Sequence, residues 1–476
     1  MARHGGVGAV IASGDVAPVS AAGADVIVVG AGMGGLVVAH DLARAGRDVV
    51  VVDAAEEVGG LLRRGTLAGV DIDLGAESFA TRTDAVAALV ADAGLPLELV
   101  APRPQGAWLA VATDDGVRRA RLPRRTVLGI PADPEADDVV AIIGADGAAR
   151  ARDERRVPVA ADAEPSLYDL VAERLGVRVA DRLVDTLCRS VYSRPAAEAR
   201  LSQLHPGMWR EFVARGSLLE AADAIATGQR AGAAVGGIAG GMWRLPTALA
   251  EAAASRGAQI RTGVAVHAVR ADADALEVET VSGSLSARHV VIATGPAEAA
   301  RLLAGAGAST RSPAAVRLVA AAIAHPALAA EPVGSGVIVD AALPTAAKAL
   351  THITAKWDWA RAATPDGIHL VRLSARDAAA GTLATADEVA REVSILTGVE
   401  VAAADVVDLV VQEWTDAVVG AAAPDDLPAG IHLAGAAAAG TGLASVIPHA
   451  RDLAARLDSA LAASLPSSSL HTHPVS

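Results

Sequence analysis

A single cysteine, Cys188, stands in a chain of 476 residues, so no disulfide can form within the chain and a cysteine-built metal site is disfavoured. Aromatic residues are nearly as scarce. Six Trp, two Tyr and two Phe leave Val, Leu, Ile and Ala to build the core, with few rings to stack on a ligand. Basic charge is in deficit: 41 Lys and Arg against 55 Asp and Glu leave a formal −14, which counts against a nucleic-acid partner. An anionic ligand would therefore need a locally basic pocket. Long apolar runs are lacking as well, although the mean hydropathy is positive at +0.37. Each stretch is interrupted before the ~18–20 residues of a spanning helix, as Ala314–Ala330 is by Arg317, His325 and Pro326. The expectation is a soluble, cytoplasmic protein of two or three domains, without a transmembrane segment and with at most a peripheral membrane contact.

Met1–Ala24 is rich in Gly, Ala and Ser and lacks the dense apolar region of a signal peptide, so residues 1–24 are expected to form a disordered leader and 461–476 a disordered tail. Val26-Ile27-Val28-Val29 is a continuous apolar run suited to a parallel strand buried on both faces. Gly30–Gly35 supplies a turn, Leu36–Ala45 a helix that ends before Gly46, and Val49–Val52 a second buried strand. Together they make one βαβ unit. A polar and apolar mixture follows to about Pro131, and Ala132–Glu164 has weak periodicity. Ser166–Leu187 reads as one helix, with more helix to Ala226. Gly236–Gly241 reads as a break and Leu245–Ala254 as a helix. Gln259–Arg270, Leu276–Thr280, Val290–Ala293, Arg317–Ala324, Gly336–Val339 and His369–Leu373 read as strands. Ile431–Leu457 repeats the opening pattern of strand, Gly-rich turn and helix. Similar elements at both ends of the chain predict an α/β, doubly wound nucleotide domain that is discontinuous, with another domain inserted into it.

Gly30-Ala31-Gly32-Met33-Gly34-Gly35 matches G-x-G-x-x-G. Gly30 permits the turn, Gly32 lets the backbone approach a pyrophosphate, and Gly35 lets helix and strand pack closely, with the phosphates facing the positive end of the helix. The pattern alone is weak in an alanine- and glycine-rich chain. Here it follows a buried strand, opens a helix, and is followed by Asp53 at the end of the next strand, placed to accept from ribose hydroxyls. The residues therefore indicate a dinucleotide, and NAD and FAD remain open at this point.

Downstream motifs resemble the flavin-containing amine oxidase and protoporphyrinogen oxidase superfamily. Asp53-Ala54-Ala55-Glu56-Glu57-Val58-Gly59-Gly60 is similar to its acid-then-GG motif, and Arg63 falls where its members place a basic residue near the flavin pyrophosphate. Leu61 departs from the pattern, since many members have Arg or Lys there. Val291-Ile292-Ala293-Thr294-Gly295 resembles the second turn motif. Ile431-His432-Leu433-Ala434-Gly435 resembles the C-terminal motif, which implies Gly435 and Ala436 near the diphosphate and ribityl chain and Val446 near the ring. Within the superfamily the likeness is to the bacterial protoporphyrinogen and coproporphyrinogen III oxidases. Asp73-Leu74-Gly75-Ala76-Glu77-Ser78-Phe79 is similar to their D-x-G-x-x-S-F segment, which adds Gly75, Ala76 and Glu77 to the cofactor set. Gly240-Gly241-Met242-Trp243-Arg244-Leu245 resembles their lead-in to a flavin-contacting strand, whose Val266 would touch the adenosine side. The resemblance spans about residues 25 to 457. One departure is the segment after Trp414, where a short Ala/Pro/Asp loop reaches Ile431 without the usual intervening helix.

The resemblance implies FAD, a Rossmann-like FAD-binding domain over residues 25–90, 236–300 and 425–460, and a helical insertion with part of the substrate domain over 91–235. The α+β substrate-binding domain would continue through 301–424. It implies oxidation of a porphyrinogen, a tetrapyrrole whose propionates need fixed cations, with O2 as acceptor and peroxide as product. No catalytic side chain or metal is required, because the cofactor carries the chemistry. Coproporphyrinogen III is favoured over protoporphyrinogen from the Arg/Ala-rich composition, and a haem-pathway ferrochelatase is a candidate contact. Arg82, just past the Asp73–Phe79 motif, is the expected propionate contact, weighed against an exposed arginine at a helix start. Lys356 is read as a second, against a solvated strand end before Trp357, with His352 nearby. Arg372 is read as a third, against the outward face of a strand. Cys188 is expected to be a buried small hydrophobe. Two other readings stay open: another amine oxidase or carotenoid desaturase-type enzyme, and an FAD-binding protein weakened by the shortened Trp414–Ile431 region.

Overall fold

The computed structural model describes residues 23–113, 116–157, 164–191, 194–226, 235–271, 275–303, 316–375, 383–414, 427–440 and 442–463. Most of the expected leader and tail, and most of the shortened loop after Trp414, lie outside these residues.

Strand β1 (Ala24–Val29), helix α1 (Met33–Arg44) and strand β2 (Val49–Val52) form the expected βαβ unit, with the two strands parallel. Every residue of β2 and Val26–Val28 of β1 are fully buried, which is why the sequence shows unbroken valine and isoleucine rather than alternation. These strands sit inside a seven-stranded sheet. Gln259–Arg261 pairs with the far side of β2, and Gly283–Ile292 pairs in parallel with the other side of β1. The latter strand serves two neighbours along its length. Its first half pairs antiparallel with Leu276–Thr280, and its last three residues pair in parallel with Ile431–Leu433. The C-terminal strand thus returns to the sheet that the N-terminus began. Helix α1 and the last helix, Leu443–Ala463, share one apolar layer on a face of this sheet, including Leu36, Val37, Leu453 and Leu457.

A second seven-stranded sheet runs in the order Val406–Trp414, Val316–Ile323, His369–Ala375, Ala347–His352, Gly336–Val339, Ala107–Thr113, Gly116–Arg121. All its pairings are antiparallel except Gly336–Val339 with Ala107–Thr113. Between the two sheets in sequence lies a helical region with its own core, in which Cys188 is 1% exposed. Burial pushes its thiol up to about 12, so it packs as a small hydrophobe. No described helix is long and apolar enough to cross a membrane.

Several elements differ from the sequence reading. Ser166–Leu187 is not one helix. Leu167–Leu175 stops at Gly176, whose φ of 98° is open to glycine but strained for other residues, and the chain restarts with a widened turn at Ala180–Asp185. The weakly periodic stretch before it contains a helix, Asp137–Arg152, interrupted at Gly144 (φ 76°), which breaks the apolar register. Gly236–Gly241 is only partly a break: Val235–Ile238 is a strand with two pairs to Phe79–Ala80 and two to Leu99–Val100. Bonding to two short neighbours holds a Val-Gly-Gly-Ile sequence that propensity disfavours.

Glu154 pins the helical region. Its carboxylate accepts from Arg174 Nη1 at 3.0 Å, Ser217 Oγ at 2.5 Å and the Leu218 N–H at 2.8 Å, and both charged side chains are at most 5% exposed. Glu154→Ala leaves Arg174 buried without its counter-charge. The expected cost is about 3–5 kcal/mol, measured by urea unfolding; a loss below ~1 kcal/mol would show that the pair is dispensable.

Candidate functional site

Four glycines at the start of α1 do two different jobs. A Cβ at Gly30 (φ 110°) would lie 2.8 Å from the Ala293 carbonyl carbon, one at Gly34 2.5 Å from Gly435 Cα, and one at Gly35 2.0 Å from the Gly30 carbonyl oxygen. These three are demanded by backbone packed on backbone. Gly32 is different, since a Cβ there would meet nothing within 4 Å. Its bare face looks onto open space at the head of α1, where Gly32 is the N-cap, no side chain caps the helix and no acid stands in the first turn. That end is left to its own N–H groups and positive dipole, the environment a pyrophosphate takes.

The open space is a cleft of about 800 Å³ between the two sheets, large enough for a sizeable ligand. One wall is the set read from the sequence: Gly32, Met33 and Gly34; Gly59, Gly60 and Arg63; Gly75 and Ala76; Thr294 and Gly295; Gly435, Ala436 and Val446. Segments scattered over four hundred residues are therefore brought to one surface. Gly59 reaches it by bonding its N–H to the Ala31 carbonyl at 2.8 Å. Gly75 needs its missing side chain because a Cβ would fall 1.8 Å from the Leu61 carbonyl oxygen. Leu61, the departure from the expected basic residue, thus meets this turn through its backbone.

Other residues of that set stand behind the wall. Gly30 and Gly35 are packed beneath it, Ala54 is exposed, and Val266 is 7% exposed in the core under the sheet. Asp53 braces the turn: Oδ2 accepts the Ala31 N–H at 2.6 Å and Oδ1 the Ala55 N–H at 2.8 Å. Arg82 is exposed in the turn before helix Ala85–Ala93 and does not line the cleft.

Lys356, Arg372 and Glu77 are one another's partners. Lys356 Nζ donates to Glu77 Oε1 at 2.6 Å, Arg372 Nη2 lies 3.5 Å from Oε2, and Thr351 Oγ1 donates to Oε1 at 3.3 Å. Lys356 is therefore neither a solvated strand end nor part of the cleft wall. Arg372 also donates through Nη1 to the Gly75 carbonyl at 2.5 Å and the Asp73 carbonyl at 3.3 Å, so it is a strut between the sheets. Burial alone would raise the Glu77 carboxyl, but Arg372 and Lys356 more than offset it and hold it at about 2. Asp73 goes the other way. Burial raises it to about 6, against the lowering effect of the Met242 and Trp243 N–H groups, which it accepts at 3.0 and 2.9 Å. His352 lies away from the cleft, buried edge-on to His369 and held neutral, at about 3, by burial first and by His369.

The facing wall was not legible in the sequence. It is formed by Val316, Leu318, Ser374, Gln412 and Trp414 of the second sheet, with Lys348 and Ser190. Trp414 is fixed by donating Nε1 to the Leu74 carbonyl at 3.0 Å, and its ring edge lies over Gly75. Lys348 falls in an alanine-rich stretch with no alternation, so nothing in the pattern marks it.

Opposite signs of pH dependence follow from the two buried carboxylates. Glu77 is depressed from 4.5 to about 2, so its stabilisation is present above the unfolded value and is lost as pH falls through the folded one. Asp73 is raised from 3.8 to about 6, so its contribution is present below 3.8 and is lost as pH rises through about 6. Urea midpoints across pH are expected to show Glu77→Gln weaker than wild type by about 3 kcal/mol at neutral pH, the gap closing in strong acid. Asp73→Asn is expected to flatten the dependence between pH 4 and 7. Parallel wild-type and variant profiles would overturn both assignments.

Four similarities bear on this geometry. Residues 33–450 match the family described as flavin containing amine oxidoreductase. A coproporphyrinogen III oxidase of Mycobacterium leprae is 31% identical over 409 residues, covering 82% of this chain and 86% of that protein. A coproporphyrinogen III oxidase of Mycobacterium tuberculosis is 30% identical over 345 residues, 69% and 73% of the respective chains. In fold, the chain is similar to the crystal structure of a putative protoporphyrinogen oxidase from Exiguobacterium sp. 255-15, with a TM-score of 0.76 at 19% identity, over 92% of this chain and 99% of that one.

Proposed function

The chain belongs to the flavin containing amine oxidoreductase family and is an FAD-dependent oxidoreductase, and from that premise we propose that it oxidises a porphyrinogen, coproporphyrinogen III, to the porphyrin with O2 as acceptor. The observation that carries the proposal is the two-faced cleft. One wall is bare glycine backbone at a helix N-terminus, and the other is a mixed sheet face in which Val316, Leu318 and the Trp414 indole stand among Ser374, Gln412, Glu413 and Lys348. The mycobacterial relatives supply the substrate class.

The residues fit FAD. Gly32 leaves room for the pyrophosphate at the α1 N-terminus, Arg63 adds a cation on the same wall, and Gly435 and Ala436 stand beside them on that wall, where they would meet the ribityl chain. Val446, on the same wall, would lie beside the ring. When bound, FAD would supply the two-electron acceptor for each of three oxidation rounds, six electrons in all, with one O2 per round taking those electrons and leaving as peroxide. The protein's part is to hold the macrocycle flat against the flavin wall. Val316, Leu318 and Trp414 exclude water from that face, and the fixed spacing between the sheets sets the distance for transfer. On this reading residues 25–90, 236–300 and 425–460 are the cofactor domain, 91–235 the helical insertion with part of the substrate domain, and 301–424 the rest of the substrate domain. The reaction belongs to the cytoplasm, with the membrane surface and a ferrochelatase as candidate contacts for handing on the product.

Two measurements test this reading. FAD-loaded protein mixed with coproporphyrinogen III in air is expected to develop porphyrin fluorescence with matching peroxide; a flavin-loaded protein that leaves porphyrinogen at its spontaneous rate sinks the proposal. Gly32→Ala isolates the pyrophosphate site, because its methyl enters open space. Folding stability is expected to stay within about 0.5 kcal/mol of wild type while FAD affinity drops by at least about tenfold. Gly35→Ala should instead lose stability outright. Unchanged FAD affinity in Gly32→Ala would place the pyrophosphate elsewhere.

A further inference from the structure

The second sheet presents its side chains to the cleft in rows fixed by register. Gln412 is opposite Leu318, and Leu318 is opposite Ser374, so these three stand side by side on strands about 4.8 Å apart. Trp414 and Val316 form the next row, and all five side chains line the cleft. Alternation along Val406–Trp414 gives Gln412 and Trp414 the same face, with Val411 on the other and 40% exposed.

Gln412 is held by its own strand. Its Nε2 donates to the Glu413 carbonyl at 2.7 Å. A carbonyl can only accept, so the nitrogen and not the oxygen of the amide must face it, which fixes the orientation of the group. Oε1 is thereby left with its lone pairs, and among the described residues none donates to it. The other polar groups on this wall differ. Trp414 spends its N–H on the Leu74 carbonyl, Glu413 is paired with Arg317, and Ser190 donates to the Lys348 carbonyl at 3.5 Å. The Ser374 hydroxyl can turn to donate or to accept, whereas an amide oxygen only accepts.

We propose that Gln412 Oε1 accepts a pyrrole N–H of the reduced macrocycle and so makes this wall selective for the porphyrinogen over the porphyrin. The inference rests on the functional reading above and deepens it by naming what tells substrate from product. In a porphyrinogen every bridge between pyrroles is a saturated carbon, so each ring can tilt and turn its N–H toward one face. Oxidation takes a hydrogen from every bridge and from half of the nitrogens. Conjugation then flattens the macrocycle, and the N–H groups that remain lie in its plane, directed at the centre. An acceptor on a wall against the face of the macrocycle meets the tilted N–H and not the flat one. When product covers Oε1, water is displaced and no donor replaces it, which weakens the hold on the porphyrin.

The test uses FAD-loaded wild type, Gln412→Met and Gln412→Leu, which remove the acceptor and keep a side chain of similar bulk. Two quantities are measured: KM for coproporphyrinogen III in air, and Kd for coproporphyrin III by fluorescence titration without turnover. In both variants KM is expected to rise about fivefold or more, while the porphyrin Kd stays within about twofold of wild type or tightens and FAD content is unchanged. A wall whose shape or spacing had merely shifted would weaken both alike. If Gln412→Met does not fold, Gln412→Leu carries the comparison. An unchanged KM in a folded variant, or a KM and a porphyrin Kd that rise together, overturns the inference and leaves the functional reading standing. A wild type that oxidises no porphyrinogen overturns the functional reading itself, and this inference with it.

Discussion

At its depth Glu77 needs both Lys356 and Arg372, and neither cation could be buried there without Glu77. The three charges come from three segments. Glu77 follows the antiparallel pair Arg64–Leu67 and Val70–Asp73, Lys356 closes a short helical turn, and Arg372 sits in the middle of the second sheet. Arg372 also grips two backbone carbonyls of the Asp73–Gly75 stretch, while the Asp73 carboxylate caps the N–H groups of Met242 and Trp243. One buried network therefore sets the separation of the two walls. Apolar packing would hold them together, but directional bonds of fixed length hold them at a given gap. The cleft depends on that gap.

The second constraint is the absence of side chains. Gly34 touches Gly435, Gly35 touches Gly30, and Gly75 touches Leu61, each through backbone atoms. A chain so poor in aromatics would struggle to fill a thick interface between elements. By bringing backbones into contact it does without the bulk, and the cost appears as glycines that tolerate no substitution. Gly32 shares the motif but not the constraint, which is how the structure separates the glycine that faces the open cleft from those that hold the turn.

Much of the first wall was readable because its logic is local. A buried strand, a glycine turn and a helix lie within twenty residues, and each glycine has a stereochemical reason that a sequence reader can supply. The return of Ile431–Leu433 to the same sheet was readable for the same cause. Lys356 and Arg372 were found as residues but not as partners, since a pairing across about 280 positions leaves no periodic trace. The hairpin Ala107–Arg121 and the edge strand Val406–Trp414 were missed because their alternation is blurred by alanine and by charge on an exposed face. Lys348 was beyond reach: it sits where the register slips between Ala347 and Ala349, and a bulge is a fault in pairing, which is not written along one strand.

The electrostatics of the cleft bear on which relatives this chain can resemble in chemistry. An amine substrate arrives as an ammonium and is best received by carboxylates or by aromatic faces. The carboxylates here, Glu57 and Glu413, already face arginines, and the wall offers a single indole, Trp414, whose N–H is spent on the Leu74 carbonyl. Arg63 and Lys348 stand on opposite walls, so a basic side chain lines the cleft on each side. On the proposed reading a macrocycle with carboxylate arms would meet Val316, Leu318 and the Trp414 ring on its face and basic side chains at its edges. The overall −14 of the protein obscures this, because among the described residues the carboxylates lining the cleft, Glu57 and Glu413, are paired with arginines. Local charge, not net charge, decides what a site admits, and on the proposed reading the same two walls would favour an anionic tetrapyrrole over an amine.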